Sequence, residues 1–83
     1  MSWNIHPGEI LKEEFMKPLD LSSRKLALTL GVPASRINDI VLKRRGITAD
    51  TAVKLGKFFK TTPKFWMNLQ VSYELRGPED SSQ

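Results

Sequence analysis

The stretch SSRKLALTLGVPASRINDIVL, residues 22–42, reads as two short helices joined by a tight turn. Apolar residues fall at Leu26 and Leu30 in its first half and at Ile37 and Ile40 in its second, a helical spacing that gives each half one buried stripe. Between them lies Gly31-Val32-Pro33. Gly31 follows the last periodic residue of the first helix, where a left-handed backbone is needed, and Pro33 suits the first turn of the second, where its missing N–H leaves nothing unsatisfied. Ala27 adds a constraint: helices that cross steeply over so short a turn bring their backbones close, and a methyl side chain allows it. An ordinary αα-hairpin shares the periodicity but needs neither this small residue nor a glycine four positions later. A helix-turn-helix is therefore expected.

Working outward, the 83 residues leave room for one domain with one modest core, below the length at which a sizeable enzyme cleft is usual. With no cysteine, neither a disulfide nor a thiolate zinc site can staple the fold, and secretion is not suggested. The opening MSWNIHPGEI lacks a charged segment followed by an apolar run, and no stretch approaches a membrane span. A soluble cytoplasmic protein without membrane association is the expectation. The net charge of +4 is unevenly spread. Residues 22–45 hold Arg24, Lys25, Arg36, Lys43, Arg44 and Arg45 against Asp39 alone, so the basic patch coincides with the helix-turn-helix and the loop after it. A polyanion, double-stranded DNA, is the natural partner.

Met1 to Ile5 reads as a short arm carrying Trp3. HPGEILKEEFMKPL then reads as a first helix, with Pro7 in its first turn, Glu9 at the positive end of its dipole, Leu11 and Phe15 on one face, and an end before Pro18. His6, the single histidine, has no partners at metal-ligand spacing, so it is expected to cap or pack. Ser22 is the expected N-cap of the second helix, although Lys25 stands where a full capping box would want Glu or Gln. In a third helix over residues 34–42, Ile37, Ile40 and Val41 turn inward. Ser35, Arg36, Asn38 and Asp39 are then left on or beside the outer face, where they can read bases. Lys43, Arg44 and Arg45 follow on a cationic turn, too far from the start of that helix to share its bases, and are assigned to phosphate together with Arg24 and Lys25.

Thr48 opens a fourth helix with the stripe Ala52, Leu55 and Phe59, and Thr62-Pro63 opens a fifth, KFWMNLQVSYEL. The fifth has too many apolar residues for one stripe: Phe65 and Leu69 lie on one side, Trp66 and Tyr73 on a second, Met67, Val71 and Leu75 towards a third. The surplus predicts a partner surface for a second copy of the chain or another protein; a homodimer is expected, with Trp66, Leu69 and Tyr73 as the candidate contacts except where they serve the monomer core. Residues 1–76 are read as one DNA-binding domain and residues 77–83 as a disordered polar tail. Glu9 and Glu13 share a helix face, and with Glu14 and Asp20 they are the raw material for a metal-dependent nuclease. No catalytic histidine or third carboxylate is placed near them, so no enzyme activity, cofactor or metal is expected.

Four segments together, HPGEIL at 6–11, LALTLGVPASRINDI at 26–40, RGITADTAVKLGKFF at 45–59 and TPKFWMNLQ at 62–70, resemble the HigA-type, VapI-like antitoxins of the Xre helix-turn-helix superfamily. The resemblance covers about residues 6–75. It implies an all-α, five-helix repressor-like domain that autoregulates its operon and neutralises a HigB-type toxin, a small ribonuclease acting on messenger RNA at the ribosome. It also implies that Ser23 stands near phosphate at the groove edge, and that Ala34, Ser35, Asn38 and Asp39, with Arg36 beside them, face the groove. Ala34 cannot donate a hydrogen bond, so a thymine methyl is the only direct base contact open to it. A stand-alone Xre-type regulator without a toxin would use the same DNA-binding residues, and the adjacent reading frame separates the two.

Overall fold

The computed structural model describes residues 5–76, which form five helical segments and, among the described residues, no strand. The first, α1, opens over Pro7–Ile10 with His6 as its N-cap, and the His6 Nδ1 accepts the Gly8 N–H at 2.9 Å. It then widens to a π-helix over Leu11–Met16 and tightens to a 3-10 turn over Lys17–Leu19. The helical path thus runs past Pro18 instead of ending before it. Proline has no N–H to donate and its ring would clash with the carbonyl four residues back, that of Glu14; opening the helix by one residue per turn relieves both problems. The Lys17 N–H accordingly reaches back five residues to the Lys12 carbonyl, and the segment ends at Asp20 in a left-handed conformation.

Helix α2, Ser23–Leu30, is capped by Ser22, whose Oγ accepts the Lys25 N–H at 3.0 Å. It ends at Gly31, where φ is 76°. Helix α3, Ala34–Val41, begins at the expected residue, with Pro33 as its extended N-cap just outside the first turn and Leu42 as its C-cap. Helix α4, Ala49–Phe59, is capped by Thr48, and α5, Pro63–Arg76, follows Thr62, whose Oγ1 accepts the Phe65 N–H at 3.1 Å. Side-chain caps therefore mark four of the five starts, α3 being the exception because Pro33 makes no side-chain hydrogen bond.

The core is built where the stripes meet: Leu11 of the first segment, Leu26 of α2, Ile37 and Ile40 of α3, Leu55 of α4 and Trp66 of α5 are wholly buried. Burial of each such side chain stabilises the fold by about 1.5–3 kcal/mol. Trp66 corrects one expectation. Its exposure is 0%, its ring centroid lies 4.9 Å from that of Phe15 and 5.0 Å from that of Phe65, and its Nε1 donates to the Thr61 Oγ1 at 2.8 Å. It belongs to the monomer core and is not available to a second copy. Leu69 is half-buried against the same core, and Tyr73 lies edge-on to His6 at 4.8 Å. The exposed apolar side chains of α5 are instead Phe65, Val71 and Leu75, the last 82% exposed. The readings of an N-terminal arm with Trp3 and of a disordered tail at 77–83 lie outside the described residues.

Behind α3, α1 comes so close that a Cβ on Gly8 would overlap the carbonyl oxygen of Ile40. The obstacle is backbone at the end of α3 and cannot swing aside. Gly8→Ala is expected to lower stability by roughly 1–3 kcal/mol through overpacking, while the helix preference of Ala over Gly, at most about 1 kcal/mol, offsets only part of it. A urea titration should show the midpoint falling; an unchanged midpoint would mean that α1 does not pack on α3 in this way.

The His6 cap makes a second, pH-dependent prediction. Burial pulls its pKa below the ordinary 6.5, and the neighbouring Lys43 ammonium lowers it further, so the ring stays neutral and keeps a lone pair on Nδ1 for Gly8. Below pH 6.5 the unfolded chain takes up this proton before the folded one does. The contribution of His6 is therefore complete above that pH and is lost as pH falls towards the lowered folded-state value. His6→Asn retains a capping acceptor but does not titrate. The stability difference between wild type and this variant should shrink from pH 7.5 to 5.5; a constant difference would count against a neutral His6 cap.

Candidate nucleic-acid interface

The turn at Gly31 brings the start of α2 beside the start of α3. Ser23 and Arg24 from the one, and Ala34, Ser35 and Asn38 from the other, consequently line a single shallow recess of about 240 Å³. Ala34, Ser35 and Asn38 are exposed on its α3 side. Five of the residues assigned to DNA from the sequence thus meet in one place. This follows from angular position, because the inward stripe of Ile37 and Ile40 leaves 34, 35 and 38 pointing outward and towards α2.

Arg36 lies on the opposite edge of α3. Its Nη1 is 3.3 Å from the Asp50 Oδ2 in the first turn of α4, and it borders a second, polar groove of about 440 Å³ together with Arg45, Thr48 and Gln70. Asp39 is half-buried, with its carboxylate 3.9 Å from the Arg44 guanidinium. Lys43, in a left-handed conformation just beyond α3, places its Nζ 3.2 Å from the Glu9 Oε1 of α1. Arg36, Lys43 and Arg44 therefore each face a carboxylate of their own chain. Among the described residues, Arg24, Lys25 and Arg45 have no such partner within 4.0 Å. Pairs this exposed contribute little to stability, so their cations can change partner at small cost.

One residue of this region carried no assignment in the sequence reading. Gln70 is 6% exposed; its Oε1 accepts the Ile47 N–H at 2.8 Å and its Nε2 donates to the Glu74 Oε2 at 2.9 Å. The available signal was its spacing: Gln70 stands four residues after Trp66 and so shares the buried face of α5. The carboxylates considered for a metal are dispersed, Glu9 onto Lys43 and Glu13 onto Lys17 at 3.2 Å. Among the described residues no group of three His, Asp or Glu side chains could hold a metal ion, and no helix is long and apolar enough to cross a membrane.

Two short helices locked at a glycine turn, with a recess across both their starts lined by Ser23, Arg24, Ala34, Ser35 and Asn38, define a helix-turn-helix protein. The helix-turn-helix family model matches residues 12–66, and the chain belongs to the Xre-type helix-turn-helix family. It is 51% identical, over 95% of its length and 73% of the relative's, to virulence-associated protein I of Dichelobacter nodosus. To a helix-turn-helix-type transcriptional regulator of Haemophilus influenzae it is 48% identical over 82% of its length, spanning 64% of that protein. Among solved structures, the antitoxin HigA of Pseudomonas aeruginosa with the higBA promoter superposes with a TM-score of 0.86 at 53% identity, over 87% of this chain and 78% of that one.

Proposed function

We propose that this protein is a DNA-binding antitoxin of a HigBA-type pair, which represses its own operon and neutralises a ribonuclease toxin. The observation that carries the reading is the recess shared by α2 and α3, in a chain 53% identical to an antitoxin solved with its promoter. On operator DNA, α3 enters the major groove. Asn38 there pairs with adenine, Ser35 bonds a base edge, Ala34 meets a thymine methyl and Asp39 accepts from cytosine. Ser23, Arg24 and Lys25 take phosphates at one edge. Arg36, Lys43, Arg44 and Arg45 do so at the other, Arg36 also being within reach of a guanine. The protein acts in the cytoplasm, without cofactor or catalysis, and the toxin binds a surface that leaves α3 free, so the pair can still occupy the operator. A stand-alone regulator is the second reading, favoured by the regulator name of the Haemophilus influenzae relative. A toxin gene next to this one, and a co-purified complex that still binds the operator, support the first reading; repression with no toxin bound supports the second.

The division between reading and attraction is measurable. Asn38→Ala should cost about 1–3 kcal/mol on the operator and much less on a scrambled duplex. Arg24→Ala should weaken both alike and reduce the salt slope by about one per subunit, because fewer counterions are released. Titrations at several salt concentrations test both, and an equal loss on the two duplexes for Asn38→Ala would show that α3 is not the reader.

Dimerisation is assigned to the outer face of α5, where Val71 and Leu75 are exposed. Since Leu75 is 82% exposed, Leu75→Glu should leave the monomer folded. Light scattering at micromolar concentration is expected to give twice the chain mass for wild type and the single mass for the variant; a wild-type monomer, free and on DNA, would remove the dimer.

A further inference from the structure

The loop after α3 rests on an amide of α5. Gly46 lies so close that an added Cβ would be 2.7 Å from both the Nε2 and the Oε1 of Gln70, and the next residue, Ile47, is buried with its N–H bonded to that Oε1 at 2.8 Å. A buried N–H needs an acceptor, which explains a polar residue on the inner face of α5. The donation from Nε2 to Glu74 at 2.9 Å determines which end of the amide meets the loop. Immediately before Gly46 comes Arg45. Of the three cations on this loop, Lys43 is paired with Glu9 and Arg44 with Asp39, whereas Arg45 has no carboxylate within 4.0 Å among the described residues. Yet Arg45 and Glu74 line the same groove.

We propose that Gln70 is a positioning residue for DNA binding: it fixes the Gly46-Ile47 backbone and occupies the Glu74 carboxylate, so that Arg45 remains available to a phosphate. The inference rests on the DNA-binding reading above. Two effects act in the same direction. The bond to Ile47 holds the base of the Arg45 side chain on a fixed peptide, which lowers the ordering cost of each hydrogen bond the guanidinium forms. The bond to Glu74 engages one of its carboxylate oxygens and holds the group on its own helix, where it makes no ion pair with Arg45 within 4.0 Å. Loss of the amide frees that carboxylate and loosens the loop together, and the phosphate contact goes with them.

The test compares Arg45→Ala, Gln70→Met, Gln70→Glu and the double variant Arg45→Ala with Gln70→Met, on operator and scrambled duplexes over a range of salt, with a thermal melt of each. Gln70→Met preserves the volume but neither hydrogen bond. Gln70→Glu keeps the acceptor for Ile47 while losing the donor to Glu74, and its carboxylate beside Glu74 is costly to bury, so its melt is read alongside the slope. Arg45→Ala should lower the salt slope by about one per subunit on both duplexes. Each Gln70 variant should reproduce that loss, and Gln70→Met should add nothing further to it in the Arg45→Ala background. A residue with only a structural role would shift the melt and leave the slope unchanged, so a wild-type slope in folded Gln70→Glu overturns the inference. So does an Arg45→Ala protein with an unaltered slope, even where wild type still prefers its operator. Wild type that binds no duplex at low salt would instead overturn the DNA-binding reading itself.

Discussion

A single carbonyl oxygen governs the geometry of the site. That of Ala27 accepts both the Gly31 N–H, at 2.8 Å, and the Val32 N–H, at 3.0 Å. Sharing one acceptor forces the chain through the left-handed conformation at Gly31 and sends it back across α2 at once. The buried methyl of Ala27 is what lets the second helix return so closely. At its other end α3 is held from behind, where α1 lies on the Ile40 carbonyl and only a hydrogen at Gly8 fits. The recognition helix is thus located at its start by a turn and at its end by a neighbouring backbone. A base-reading surface needs its side chains placed within a fraction of an ångström, and this is more readily met on a helix pinned twice than on a loop.

What could be read from the sequence, and what could not, divides by the range of the interaction. Ser22, Thr62, Gly31 and the His6 cap all act on backbone groups two to four residues away, so the pattern contains the answer. Ser35 and Asn38 were equally legible from the complement of the Ile37 and Ile40 stripe, whereas Ala34 came from the family resemblance, and Arg36 and Asp39 of the same complement are half-buried against Asp50 and Arg44. Trp66 was not legible. An angular plot of α5 gives three apolar sides, and which of them faces inward is decided by Phe15, fifty-one positions earlier in the chain. The need for glycine at position 8 depends likewise on Ile40, and the widening at Leu11–Met16 on how Pro18 is accommodated. The role of Gln70 required knowing that a peptide N–H from another element would be buried against it.

Charge shows the same division with a functional consequence. Counted along the chain, the basic patch contains one acid, Asp39, but folding brings in Glu9 from α1 and Asp50 from α4. Part of the cationic surface is therefore already neutralised. Each of these pairs must be exchanged when a phosphate takes its place, at a cost that their exposure keeps small. Arg24, Lys25 and Arg45 remain as cations of this patch without a carboxylate within 4.0 Å among the described residues.

Separation of surfaces completes the logic. The recess lies on α2 and α3, whereas the exposed apolar side chains of α5 lie on a helix that packs mainly against α4 and α1. A partner seated on α5 does not compete with DNA for the same side chains. A two-fold dimer must also present its two recognition helices about 34–36 Å apart to enter successive major grooves. The described chain measures 39 Å in its longest direction and 21 Å in its shortest. Gln70 is the buried side chain through which α5 bears directly on the loop that follows α3.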